Sequence, residues 1–162
     1  EHSDHDGSGT APEIYRYFSN ILDMFPDTDL HVAHFHETKR IGSASVLAAL
    51  QAGIERFEGS LGGLGGQPAN FFEDRPVPGT GKYYHASPGI VPLEDLLVQI
   101  DEMGITHGCD IDKILLLGRQ MERTIGCKRR SNAAHSGRTL REGNLELGRP
   151  GLQERKKKLG EI

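Results

Sequence analysis

Two histidines, His34 and His36, stand two residues apart at the end of a short apolar run, just before a segment of helical character. In an extended strand, residues i and i+2 point to the same face, so both imidazoles can be directed at one point. Paired imidazoles at a strand end can hold a divalent metal ion, and a strand that feeds a helix is where βα barrels place their sites. The spacing alone also fits surface histidines or hydrogen-bonded core histidines.

The elements that must position this pair alternate between helical and extended patterns. Thr10, Pro12 and Glu13 form a helix start signal, and Pro26 ends the run that follows. The predicted order is a helix after Thr10, a strand at about 30–35, a helix at about 43–50 closed by Gly53, a strand at 56–60, a glycine-rich segment at 61–89, and helices at about 93–103 and 112–124. This order predicts an α/β fold with a parallel sheet, and its few strands predict part of a larger sheet or barrel.

Composition bounds the class of protein. The chain has 162 residues, 36% of them hydrophobic and 26% charged, which fits one modest domain. No run approaches the roughly 18 apolar residues of a membrane span, and no leader pattern opens the chain. The two cysteines, Cys109 and Cys127, lie outside any motif and are expected to be inert. They favour a reducing compartment, either the cytoplasm or, in a eukaryote, the mitochondrial matrix.

Charge is distributed unevenly along the chain. Residues 1–127 carry 9 Lys and Arg against 19 Asp and Glu, whereas residues 128–162 carry 10 against 4. No aromatic residue is interleaved with the basic residues of the tail, so neither a nucleic acid nor a membrane is expected as a partner. The sequence predicts a folded domain at 1–127 and a basic, partly disordered extension at 128–162.

Three segments in this order resemble the hydroxymethylglutaryl-CoA lyase-like enzymes of the DRE-TIM metallolyase group. They are AHFHET at 33–38, LAALQAGIERFEGSLGGLGGQP at 47–68 and EDLLVQIDEMGI at 94–105. The resemblance covers about residues 3–130 and implies the C-terminal part of a (β/α)8 barrel with a divalent metal at the carboxyl ends of its strands. It implies carbon–carbon cleavage of an acyl-CoA; the lyase branch splits a 3-hydroxy-3-methylglutaryl-CoA-type substrate into acetyl-CoA and a keto acid.

The resemblance also implies roles for single positions. His34 and His36 match the family's paired metal-ligand histidines, and Asp4 matches an aspartate that would orient metal-bound water or substrate. Mg²⁺ or Mn²⁺ is the implied ion, although two imidazoles alone suit Mn²⁺, Co²⁺ or Zn²⁺ better than Mg²⁺. A flexible loop that closes over the family's site is matched by Gly62, Gly63, Gly65 and Gly66.

The chain departs from the family pattern at three places. Gln67 stands where the lyases carry a cysteine used in proton transfer, and an amide can position a group but cannot act as an acid or base near neutral pH. Ile90 stands where the family offers an asparagine metal ligand, for which Asn70 is the nearest substitute. Lys39 and Arg40 add positive charge near the site mouth, suited to an anionic substrate or merely to solvent.

Two neighbouring features have simpler interpretations. His2, His5 and Asp6 are interpreted as a frayed terminus that would be tucked at a strand end of the whole barrel. The SLGGLGG run lacks both the GxGxxG spacing and the GK[ST] ending of nucleotide loops, so nucleotide binding is not expected there. The segment 67–89 exceeds ordinary connections in length, which predicts a functional lid whose aromatic residues pack together or touch the acyl-CoA.

The expected function is that of a divalent-metal-dependent carbon–carbon lyase acting on a hydroxymethylglutaryl-CoA-like acyl-CoA. The family's Asp-Arg-Glu motif lies upstream of Glu1, so we expect a fragment whose intact parent is the enzyme. Two alternatives stay open: a related acyl-CoA condensing synthase, and a non-catalytic remnant whose half barrel binds a partner. Exposed strand edges predict a homo-oligomer or pairing with the missing N-terminal half.

Overall fold

The computed structural model describes residues 1–4, 7–65, 70–72, 75–77 and 89–139. Its helices and strands alternate along the chain, as the α/β prediction requires. The elements are β1 (His2–Asp4), α1 (Ala11–Met24), β2 (Ala33–Phe35), α2 (Gly42–Ala52), β3 (Asn70–Phe72), β4 (Arg75–Val77), α3 (Leu93–Glu102), α4 (Ile111–Ile125) and α5 (Ala133–Ser136), with 3₁₀ turns at Thr28–Leu30 and Leu61–Gly63.

A small parallel arrangement lies at the centre of the described chain. Strands β1 and β2 pair in parallel, with Asp4 opposite Phe35. On the other side of β2, Ala33 donates to the carbonyl of Arg56 at 2.9 Å and accepts from the N–H of Glu58 at 3.0 Å. Helix α1 connects β1 to β2, and helix α2 connects β2 to the segment of Arg56 and Glu58. The three segments therefore end at one edge, where side chains from each can meet.

The helices form where the sequence predicts them. Thr10 and Glu13 make a reciprocal capping box at the start of α1, and Gly53 ends α2 in the left-handed conformation with a φ of 104°. Ile14 and Phe18 face inward from α1. They join a hydrophobic core of Ile14, Phe18, Ala33, Phe35, Val46, Ala48, Ala49, Ile54, Val91 and Leu96.

Two predicted strands are shorter in the structure. The strand expected at about 30–35 begins only at Ala33, because the Asp27 side chain accepts from the N–H of Asp29 and starts a 3₁₀ turn before it. The segment expected as a strand at 56–60 makes only isolated parallel bridges, at Phe57 and Ser60. The segment beside β2 therefore pairs with it through a single bridge and does not form a full strand.

The interpretation of His2 as part of a frayed terminus is wrong. His2 lies in β1, which pairs with β2. Its imidazole is hydrogen-bonded to the hydroxyl of Tyr17 at 2.8 Å and to Nδ1 of His31 at 3.0 Å. Strand pairing and these side-chain contacts hold the terminus in place. His5 and Asp6 lie outside the described residues.

The segment predicted as a lid contains secondary structure. Strands β3 and β4 pair in antiparallel fashion, with Phe71 opposite Pro76. The remaining residues of 66–88 lie outside the described part, Gly66 and Gln67 among them. The role of this segment as a lid stays a prediction.

The start of the predicted basic extension packs against the preceding folded domain. Asp95 on α3 accepts from the hydroxyl of Ser131 at 2.9 Å and from the N–H of Ala133 at 2.7 Å. Ser131 and Ala134 are each only 1% exposed. Residues up to 139 thus belong to the packed structure, and residues 140–162 lie outside the described part. None of the helices in the part described has the length and apolar character needed to cross a membrane.

Candidate metal centre at the strand ends

The imidazoles of His34 and His36 meet at the carboxyl end of β2. Their Nε2 atoms lie 3.2 Å apart, and His36 is only 4% exposed. Ala33 and Phe35 are buried on the core side of the same strand, which fixes the backbone between the two rings. The structure therefore brings together the two histidines that the spacing predicted to share one face.

Glu58 orients the first of these rings. Its Oε2 lies 2.6 Å from Nδ1 of His34. A carboxylate can only accept, so this contact places the proton of neutral His34 on Nδ1 and leaves the lone pair of Nε2 directed toward His36. In metal-binding histidines, the ring nitrogen that does not bind the metal is commonly hydrogen-bonded to such a carboxylate. This hydrogen bond fixes the tautomer and raises the basicity of the ligand nitrogen.

The spacing of the two Nε2 atoms fits one divalent ion. Nitrogen ligands at about 2.0–2.1 Å from an ion, at tetrahedral or octahedral angles, lie roughly 2.8–3.4 Å from each other. The observed 3.2 Å falls inside this range. First-row transition metal ions bind imidazole nitrogens more readily than Mg²⁺ does, because Mg²⁺ prefers oxygen ligands. The pair therefore fits two adjacent coordination positions of such an ion.

A second grouping of ligand atoms surrounds the other nitrogen of His34. Glu1, His34 and Glu58 each bring one ligand atom within 4.8 Å of the others. The Nδ1 atom of His34 is already engaged by Glu58, and the Glu1 side chain, 3.6 Å away, is 49% exposed. The Nε2 side is the better metal face, because both of its nitrogens are fixed by the strand and one by a carboxylate.

Ile90 lies directly beside this face. It forms an antiparallel bridge with His36, and the N–H of the next residue, Val91, donates to the carbonyl of Phe35 at 3.0 Å. The position that the resemblance gives to an asparagine ligand is thus next to the histidine pair. An isoleucine side chain has no donor atom, so Ile90 adds none to the site.

Asp4 shapes the backbone at the end of β1. Its carboxylate accepts from the N–H of Ser8 at 3.2 Å and from that of Gly9 at 2.9 Å. Its carbonyl accepts from the N–H of His36 at 3.4 Å. Asp4 therefore holds the turn that leaves β1 and contacts the backbone of the histidine pair. A carboxylate offers about four acceptor positions, so this one retains capacity for a further donor.

A buried carboxylate holds the first residue of the glycine loop. The N–H of Gly62 lies 3.0 and 2.9 Å from the two carboxylate oxygens of Glu94, which is 0% exposed. Burial is the largest cause that raises the pKa of Glu94. Gly62, Gly63 and Gly65 all have positive φ angles. The first part of the predicted loop is thus fixed in a conformation that favours glycine.

Neither Glu58 nor Glu94 is among the residues that the sequence predicts for the site. Glu58 directly follows Phe57, which forms a parallel bridge with Ala33. Its position at the end of a segment parallel to β2 is the one signal that could have indicated a role in the site. Glu94 stands in the first turn of α3, where an acidic residue is ordinarily a favourable neighbour of the helix dipole. That ordinary role concealed its contact with Gly62.

The fold and the site together define an α/β protein with a candidate metal site at a strand end. A family model described as HMGL-like matches residues 3–121. The chain belongs to the HMGL-like family.

Relatives and solved structures agree with this assignment. The hydroxymethylglutaryl-CoA lyase of Pseudomonas mevalonii is 30% identical over 138 residues, which are 84% of this chain and 41% of that protein. The (R)-citramalyl-CoA lyase of Chloroflexus aurantiacus is 29% identical over 76% of this chain and 34% of its own length. An HMG-CoA lyase from Acinetobacter baumannii, solved with coenzyme A and 3-methylmalate, superimposes with a TM-score of 0.71 at 29% identity, covering 85% of this chain and 40% of that one.

The chain therefore spans roughly two fifths or less of the length of these proteins. The predicted position in the C-terminal half of the family barrel is not confirmed by these matches. The family assignment does not depend on that position, because the family model matches well over half of the chain.

Proposed function

We propose that this protein contributes the metal-binding edge of a carbon–carbon lyase that acts on a hydroxymethylglutaryl-CoA-like acyl-CoA. The observation that carries the proposal is the His34–His36 pair, with Nε2 atoms 3.2 Å apart and His34 held from behind by Glu58. Support also comes from the relatives, which are named as lyases of hydroxymethylglutaryl-CoA and citramalyl-CoA, and from the relative solved with coenzyme A.

His34 and His36 would hold the divalent ion through their Nε2 atoms. When bound, the ion would supply Lewis-acid polarisation of the substrate's oxygens. The nitrogen donors favour Mn²⁺ or a later first-row ion, whereas the family resemblance implies Mg²⁺ or Mn²⁺. Mn²⁺ satisfies both arguments, so it is the ion we propose.

The proposed reaction is cleavage of a 3-hydroxyacyl-CoA. A base removes the proton of the 3-hydroxyl group, the bond between C2 and C3 breaks, a carbonyl forms at C3, and the thioester carbanion takes up a proton. Asp4, at the end of β1, would orient the substrate with the carboxylate capacity left after its bonds to Ser8 and Gly9. The loop that starts at Gly62 would close over the site.

The acyl group is proposed to differ from 3-hydroxy-3-methylglutaryl. Gln67 cannot deliver the proton that the family cysteine transfers, because an amide does not titrate near neutral pH. Ile90 removes one oxygen donor next to His36. The relatives show that the acyl part varies within the family, since one of them is named as a citramalyl-CoA lyase.

Location and assembly are also proposals. Relatives carry names that place some in the cytoplasm and one in mitochondria. We propose the cytoplasm for this protein, or the mitochondrial matrix if its source is a eukaryote. A homo-oligomer, or pairing with the remaining part of a barrel, would cover the edge of β1 that faces away from β2.

The test uses the longest polypeptide that the coding sequence provides, assayed with Mn²⁺ and a panel of 3-hydroxyacyl-CoA thioesters. Mass spectrometry should detect acetyl-CoA and a keto acid from at least one of them. His34→Ala and His36→Ala should abolish turnover, and His107→Ala, outside the site, should retain it. Unchanged turnover in the first two variants would show the metal assignment to be wrong. Formation of the acyl-CoA from its halves, without cleavage, would favour the condensing synthase.

A further inference from the structure

A largely apolar pocket opens at the end of the fold opposite the histidine pair. The segment 54–58 runs parallel to β2 and reaches Glu58 at its carboxyl end, and the pocket lies at the amino end of this segment. The C-terminal parts of α2 and α3 form its sides. It has a volume of about 590 Å³ and is lined by Leu50, Gly53, Ile54, Glu55, Phe57, Ile100, Ile105, Thr106 and His107.

The pocket leaves apolar surface accessible next to the core. Ile54 is 1% exposed and belongs to the hydrophobic core, so the pocket reaches that core. Ile105 is 37% exposed, so it stands at the opening. Removal of apolar surface from water is favourable. An apolar segment that entered this pocket would therefore stabilise the fold.

The described part of the chain ends beside this opening. The N–H of Thr139, the last described residue, donates to the carboxylate of Glu102 at the end of α3, at 2.8 Å. The preceding residue, Arg138, lies 3.7 Å from the carboxylate of Asp101. The same carboxylate lies 3.6 Å from Nε2 of His107, which lines the pocket. These contacts hold residues 138 and 139 at the edge of the pocket.

The residues that follow Thr139 supply apolar side chains within reach. Leu140, Leu145 and Leu147 fall within eight residues, whereas residues 148–158 contain one leucine and five basic residues. A chain spans at most about 3.3–3.6 Å per residue, so Leu145 can lie up to roughly 20 Å from Thr139. The apolar part of this extension is therefore the part that begins at the pocket.

We propose that residues 140–147 dock into this pocket of their own chain, with Leu145 and Leu147 as the buried side chains. Because the segment is attached beside the opening, its effective concentration there is about millimolar. The docked segment would join the ends of α2 and α3 and would cover Phe57, which bridges Ala33 and directly precedes Glu58. It would leave the histidine pair open, and it needs neither a metal ion nor an acyl-CoA.

Methyl nuclear magnetic resonance of the full 162-residue chain tests this contact directly. Nuclear Overhauser cross-peaks are expected between the methyl groups of Ile105 and those of Leu145 or Leu147. They should be present in chains labelled at both isoleucine and leucine. They should be absent from a mixture of chains labelled at one residue type each, since only contacts between copies appear in that mixture.

Paired substitutions provide a second measurement. Replacement of Leu145 and Leu147 by serine should lower the melting temperature by about 3–6 °C, because it removes buried apolar area. The same change at Leu152 and Leu159 should leave the melting temperature unchanged. In an Ile105→Glu background, which places a charge at the opening, the loss caused by the first pair should disappear, since the two changes break the same contact.

Leu116→Glu is the control for that background, because Leu116 is 45% exposed on α4 and lies outside the pocket. The loss caused by the Leu145 and Leu147 pair should persist there. Cross-peaks within one chain, together with a loss confined to this pair and abolished by Ile105→Glu, support the proposal. Absence of cross-peaks to these leucines, cross-peaks that arise only between copies, or equal melting temperatures for the two leucine pairs would overturn it.

Discussion

The carboxylate of Glu58 lies 2.6 Å from the Nδ1 atom of His34, although the two residues stand on neighbouring segments 24 positions apart. The orientation of the His34 ring therefore depends on the parallel pairing of Ala33 with the segment that carries Glu58. The contact holds the Nε2 atom of His34 toward His36 before any ligand arrives. A site arranged in advance loses less conformational entropy when it binds.

Replacement of Glu58 by glutamine should weaken metal binding. The glutamine can still accept from Nδ1 of His34, but it brings no negative charge next to the ring. We expect a loss of about 10–100-fold in affinity for Mn²⁺ or Zn²⁺, measured by competition with a chromogenic chelator. Glu55→Gln, an equal change at an exposed position nearby, is the control. Equal affinities for the two variants would contradict the role given to Glu58.

Glu94 should make stability depend on pH. Burial raises its pKa above the usual 4.5, so the folded protein holds the proton more tightly than the unfolded chain. Stability contributed by this proton is present below about pH 4.5 and is lost as the pH rises through the raised pKa. Glu94→Gln should flatten that part of the curve in urea unfolding at several pH values, and Asp23→Asn should not. A slope that survives in Glu94→Gln would disprove this assignment.

His2 should act in the opposite direction. Burial, His31 and the N-terminal amine lower its pKa, so the unfolded chain binds protons that the folded protein does not. Stability is therefore complete above about pH 6.5 and is lost as the pH falls toward the lowered pKa. The ring of His31 donates through Nε2 to the Phe25 carbonyl, so its Nδ1 must accept from His2.

His2→Gln should remove this dependence between pH 5 and 7, measured as the melting temperature. Tyr17→Phe removes the hydroxyl bonded to His2 and should cost about 1 kcal/mol while keeping the dependence. His135→Gln, at an exposed histidine on α5, is the control. A melting temperature that falls as steeply with acid in His2→Gln as in the unmodified chain would rule out this residue as the cause.

Gly62 should resist substitution more strongly than another glycine of similar conformation. A Cβ at this position would lie 2.6 Å from the Met121 methyl group and 2.7 Å from Cβ of Arg129, at a φ of +60°. Gly108 has a φ of +71° and nothing within 4 Å of the same position. Gly62→Ala should therefore cost roughly 1–3 kcal/mol more than Gly108→Ala in chemical unfolding, because only the first adds overpacking to backbone strain. Equal costs would show that the loop relaxes freely.

Local signals made some features predictable. The start of α1 follows from the capping box of Thr10 and Glu13, and the end of α2 follows from Gly53. The His34–His36 pair follows from the two-residue period of a strand. In each case, neighbours within a few positions determine the structure, so the sequence displays it directly.

Other features depend on contacts between distant positions. Strand β1 has three residues, too few to show a period, and it exists because β2 pairs with it. Glu94 meets Gly62 across 32 positions, and Asp95 meets Ala133 across 38. No local pattern marks these carboxylates as partners of distant backbone groups. Arg40, with a φ of 59°, likewise carries no sequence signal of its left-handed conformation.

The central claim is that the Nε2 atoms of His34 and His36 bind one divalent ion. Pulsed electron paramagnetic resonance of the Mn²⁺-loaded protein measures it most directly, since it counts coordinated imidazole nitrogens. Two nitrogens are expected in the unmodified chain, one in His34→Ala and in His36→Ala, and two in the His107→Ala control. Absence of nitrogen coupling in the unmodified chain, or two nitrogens in either site variant, would contradict the claim.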